Sequence, residues 1–286
     1  GTAGGAEAIN TGTGNWTLAG NVNFTDGTVT TESGNTITMD GTGTLTSDAE
    51  TLQNLTIDSS GTVTLAAATH TVAGNLTLGG SGTPTVTGST ITMTGTANTI
   101  TGGGKTLANL TIDPSSAGTI TMQTSNLTVS GTLTIAANDT FKIETGRTLT
   151  LSGNGTPLTV TGIFEPDDGS IVEYTHGTSA TVTGTTFGGL TLGGTGTYTL
   201  PSSGTPTIKG NFNIASGATV ASGSATLLFR SGSTQSFTDN NGTKQNIGEI
   251  AIRASTGGNS ILTLGSAVKI ASATIDASQT IDLNGS

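Results

Sequence analysis

The chain has 286 residues, room for one large domain or two smaller ones, but only 32% are hydrophobic and 9% charged, with a net charge of −10 and no cysteine. An ordinary domain is about 45–50% apolar, so a ball around a thick core is excluded, and so are a disulfide framework and a thiolate metal site. Eight scattered Lys and Arg argue against nucleic acid as a partner, and no apolar run is long enough for membrane insertion or a signal segment.

Leu, Ile, Val and Phe together make about a fifth of the residues, which leaves two options: disorder, or a core that is thin and long. Residues 1–14, GTAGGAEAINTGTG, read as a flexible Gly-rich arm, and a first residue other than Met suggests processing or a fragment. From residue 15 the pattern changes. Thr36-Ile37-Thr38-Met39 alternates polar and aliphatic, as do Thr90-Ile91-Thr92-Met93 and Thr148-Leu149-Thr150-Leu151. Strand side chains alternate between faces, so the aliphatics would point in and the threonines out. Gly, Asn, Asp and Ser punctuate these runs as turn residues. No helical period is sustained, and the reading is all-β.

Phrases recur in order along the chain. AGNVNF (19–24) returns as AGNLTL (73–78), and NTITMDG (35–41) returns at the same offset as STITMTG (89–95). TLQNLTID (51–58) returns as TLANLTID (106–113), and TVAGNLTL (71–78) as TVSGTLTI (128–135), at nearly that offset. Within one such repeat, strand groups end at Phe24, Met39 and Ile57, and the next cycle begins with the group ending at Leu78. This spacing predicts a parallel β-helix, a β-solenoid of about 18–20 residues per coil, right-handed by the usual crossover rule. About 15 coils would make a rod roughly 70 Å long. The domain reading is one continuous solenoid over 15–286, in three-coil repeats near 19–72, 73–127, 128–206 and 207–286. The third holds an added coil, because TFGGLTL (186–192) follows TLANLTI (106–112) at an offset longer than the others by about one coil. A β-sandwich series and a propeller are the structural rivals.

The phrases GNLTL, GTLTI, TLTLSG and NLTID resemble the Thr/Gly-rich β-helical repeats of large secreted bacterial surface proteins: adhesins, autotransporter passenger domains and filamentous-haemagglutinin-type repeats. The resemblance covers most of residues 15–286. It implies an extracellular or cell-surface protein used for attachment, coating or filament building, and carries no functional residues with it.

Chemistry is sparse. The segment IFEPDDGSIVEYTHG (163–177) is the densest group of reactive types, with Glu165, Asp167, Asp168 and His176 as candidates for acid–base hydrolysis of sugars. The competing reading of Glu165–Gly169 is a turn punctuated by Pro and Gly. His70, in a strand, is expected as a surface or ladder residue. Asp58 and Asp113 follow equivalent NLTI strands and are candidates for a cation between coils, or for turn caps. Asn54, Asn75, Asn109 and Asn126 are glycosylation candidates among nine Asn-x-Thr sequons, or turn residues whose amides stack. No cofactor is expected. Thr-x-Thr pairs raise ice binding, but their uneven spacing spreads them over several faces. Neither terminus resembles a cap, and bare strand edges invite polymerisation. The expected function is therefore a non-enzymatic extracellular protein that stacks on itself into a filament, sheath or surface layer. The alternatives are an adhesin holding surface glycans, a tailspike-like polysaccharide-degrading enzyme, and an ice-binding solenoid.

Overall fold

A computed structural model describes residues 8–25, 28–47, 50–255 and 258–283. Every regular element among them is a β-strand, and every pairing between strands is parallel. The fold is a β-solenoid of about 12 turns. By contact density the chain divides into two units, Gly1–Lys142 with Thr161–Ile163, and Ile143–Val160 with Phe164–Ser286.

Each coil of the first unit carries three strand positions, which make three faces. The first face runs through Thr51–Leu52, Thr69–Val72, Thr90–Met93, Asn109–Ile112 and Leu133–Ile135. The second runs through Trp16–Leu18, Thr36–Met39, Asn54–Ile57, Leu76–Leu78, Ala97–Thr101 and Thr119–Met122. The third begins at Val22–Asn23, Gly43–Thr46 and Val63–Leu65, continues through a bridge at Thr85, and includes Lys105–Leu107 and Leu127–Val129. Ala8–Asn10 pairs with Thr28–Thr30, so the predicted arm is already strand by residue 8, and its first seven residues lie outside the described ones.

Alternation builds the core as predicted. Ile37, Leu55, Leu76, Ile100 and Met122 lie on the second face, Ile37, Leu55, Leu76 and Ile100 as successive register partners and Ile100 opposite Met122, and all are fully buried. The threonines between them face outward. In the second unit the longest ladder stacks Leu149, Val172, Leu190, Phe212 and Phe237, also buried. Here aromatic rings fill the interior, with Phe212 and Phe237 stacked at 5.0 Å between centroids.

The step between coils varies more than the sequence spacing predicts. Ile37 pairs with Leu55, whereas Phe237 pairs with Leu264, half as far again along the chain. Longer coils explain why there are about 12 turns and not 15.

The sequence repeat is not three coils. From Val22–Asn23 to its echo Leu76–Leu78 the chain passes eight strand positions, and the same count holds from Thr36–Met39 to Thr90–Met93 once the bridge at Thr85 is included. Eight positions at three per coil is two and two-thirds coils. Each echo therefore lands on the neighbouring face: Thr36–Met39 lies on the second face and Thr90–Met93 on the first.

One contact is repeated with the motif. A Cβ on Gly41 would overlap the carbonyl of Ala19 in the coil below, and a Cβ on Gly95 would overlap that of Ala73. Ala19 and Ala73 open the two AGN phrases, and Gly41 and Gly95 close the two TITM phrases. The repeat thus carries both halves of one close backbone approach.

Candidate functional site

The octapeptide that occurs twice turns a corner of the coil in both copies. Asn54 Nδ2 donates to the carbonyl of Asn35 at 2.8 Å, and its Oδ1 accepts the N–H of Asn75 at 2.8 Å. Asn109 does the same with the carbonyl of Ser89 at 3.1 Å and the N–H of Thr132 at 3.0 Å. Each amide therefore ties the coil below to the coil above, where the corner would otherwise leave backbone groups unpaired. The two lie on different faces, so they do not stack on each other. Of the predicted glycosylation sites, Asn54 and Asn109 are half-buried with their amide nitrogens in these bonds, while Asn75 and Asn126 are exposed. Asn75 Oδ1 accepts the N–H of Thr99 at 2.9 Å.

The predicted acid–base group is not brought together. Glu165 points outward from the strand Ile163–Pro166. Asp167 and Asp168 form a turn closed by Ser170 N–H to the Asp167 carbonyl at 3.1 Å, with Gly169 at φ 82°. Asp168 faces Lys209 at 3.6 Å. His176 ends the next strand, Ile171–His176, and its Nδ1 accepts the N–H of Thr178 at 2.7 Å. The length of that strand puts the imidazole roughly 20 Å from the aspartate turn at the usual rise per residue, beyond the reach of proton transfer. The strand Ile171–His176 pairs with Thr148–Leu151 and Gly189–Gly194.

Asp58 and Asp113 are both exposed, each with its backbone N–H bonded to the coil below, at Met39 and Met93 (both 3.0 Å). They belong to different faces, which separates them as joint cation ligands. Among the described residues no three His, Asp or Glu side chains are grouped to hold a metal ion.

Two buried polar sites were not found from the sequence. His70 is fully buried, not on the surface: it points into the core as the register partner of Ile91. Its Nε2 lies 3.1 Å from the carbonyl of Ala66, an acceptor only, so that nitrogen carries a hydrogen, and its Nδ1 lies 2.7 Å from the Ser47 hydroxyl. Asp239, also fully buried, accepts backbone N–H groups from Asn241 at 3.0 Å and Gln245 at 2.6 Å, which fastens the loop 239–246. The alternation around His70 in THTV is the signal that places it inward. The two tyrosines are interior as well. Burial pushes the Tyr174 phenol up to about 12, against a smaller lowering from its bond with Thr183. Burial also raises Tyr198, with the Glu173 carboxylate adding to it. No aromatic strip for sugar stacking exists among the described residues.

The threonines do fall into register. Thr51, Thr71, Thr92, Thr111 and Thr134 stack on the first face, with Thr69, Thr90 and Asn109 in the column beside them. Thr17, Thr38, Thr56, Thr77 and Thr101 stack on the second. In the second unit the equivalent column is mixed, running Thr150, Glu173, Thr191, Asn213 and Thr238.

In the last described coil, Ser272–Ile275 pairs with Glu249–Ile252, and Thr280–Asp282 with Ile261–Leu264. Comparison with protein-family models, with curated proteins and with solved structures finds no match.

Proposed function

We propose that the chain is an extracellular structural protein whose coils stack copy on copy into a filament, sheath or surface layer. The observation that carries this reading is the build of the rungs: the described strands pair in parallel over an aliphatic interior with threonines outward, so that one rung resembles the next along each ladder. A ladder written in one alternating pattern can be extended by any rung of the same pattern, including one from a second copy. The outward threonines, serines and asparagines supply a solvated surface. Sedimentation and negative-stain microscopy across a concentration series test it. Growth into filaments is expected as concentration rises. A chain that stays monomeric at every concentration defeats the reading.

A second reading rests on the threonine columns of the first unit. Hydroxyls about 4.8 Å apart along a column and about 7 Å across form an uncharged lattice, suited to ordering water into ice. A thermal-hysteresis measurement decides it: activity is expected for the parent chain and loss for Thr92→Tyr, whose bulk breaks the flat array.

A further inference from the structure

The second unit gathers positive charge in one place. Ile208, Phe229 and Ile252 are register partners on one ladder, and each is followed by a basic residue: Lys209, Arg230 and Arg253. Their backbone N–H groups reach the coil below in the same manner, Lys209 to Phe187 at 3.0 Å, Arg230 to Ile208 at 3.0 Å and Arg253 to Phe229 at 3.1 Å. Three of the eight basic residues in the chain thus stand on successive rungs, about 4.8 Å apart. Like charges opposed across strands weaken pairing, and a chain with 18 carboxylates had no shortage of partners to interleave. Lys209 faces Asp168, which lies outside the column, at 3.6 Å. Arg230 donates its Nε to the Ala254 carbonyl at 2.8 Å, which holds that guanidinium in place. Arg253 lines a groove of about 320 Å³ with Thr205, Thr226, Leu228, Ala251 and Thr274. Glu249 sits at the opposite end of Arg253's strand, bonded by Thr226 at 3.4 Å, about 13 Å from the basic edge at the strand rise. Asp276 occupies the next place in the column, after Ile275.

We propose that this column and groove bind a linear polyuronate, a polysaccharide with one carboxylate on each sugar. Guanidinium forks match carboxylates in two parallel hydrogen bonds, and the rung spacing is near the length of one pyranose ring. The groove threonines supply hydroxyls to the ring oxygens, and Leu228 and Ala251 supply an apolar floor. Recognition by ring stacking is not available here, because Tyr174 and Tyr198 are buried, so charge must carry the selectivity.

The test is calorimetric titration of the whole chain with polygalacturonate oligomers, with neutral dextran and dextran sulfate as further probes. Binding is expected for polygalacturonate, falling with salt and absent for dextran. Arg253→Gln should weaken it by about tenfold or more, as the loss of a charge-assisted contact does. Arg230→Gln should weaken it less, and Asp276→Asn should tighten it by removing the carboxylate at the end of the column. Circular dichroism confirms that each variant keeps its fold. Polygalacturonate binding unchanged in Arg253→Gln overturns the proposal, as does equal affinity for neutral dextran or for dextran sulfate.

Discussion

Asn54 and Asn109 do at a corner what a strand does along a face: each donates down and accepts up. Asn54→Ala removes both bonds, and a loss of about 1–3 kcal/mol in urea denaturation is expected. Asn54→Asp should cost more at neutral pH, since the acceptor survives but a carboxylate then faces the Asn35 carbonyl that the amide nitrogen had satisfied. These residues were legible in the sequence as turn asparagines because the octapeptide recurs, but their partners lie in the neighbouring coils, about a full turn away along the chain, beyond any local pattern. Tyr174 gives a pH test. Its folded value of about 12 lies above the ordinary 10.0, so the unfolded chain releases its proton first as pH rises. Stability is expected to be intact below pH 10 and to fall between about 10 and 12, by roughly 3 kcal/mol at two pKa units. Tyr174→Phe should flatten that slope in alkaline denaturation followed by circular dichroism.

Strand alternation was the most legible feature, because a period of two is written directly in TITM, NLTI and THTV. It placed the interior column correctly, and applied to His70 it also places the imidazole inside. What it did not reveal was coil length. Corners absorb extra residues without disturbing register, so steps as unequal as Ile37 to Leu55 and Phe237 to Leu264 each close one coil. The acid–base group over 165–176 failed for a related reason: nearness in sequence becomes distance along an extended strand. The glycine contacts make a sharper test of this scale. Gly41→Ala and Gly95→Ala each drive a methyl into the backbone of the coil below. A loss of about 1–3 kcal/mol is expected for either, and its absence in thermal unfolding would show that the two coils can part at that corner.

At the scale of the whole molecule, the proposed stacking of copies predicts that the sedimenting fraction rises steeply with protein concentration. The repeat of two and two-thirds coils has a different consequence, for how such a chain can change. Unequal recombination between the copies at 51–58 and 106–113 would delete or add eight strand positions, not nine. Everything downstream would then be carried a third of a turn around the axis, and the ladders would still join, because every face is written in the same alternating code. A patch acquired on one side would reappear on the next with each duplication and return to its starting side only after the third. Lengthening the protein therefore also distributes its surface chemistry around it.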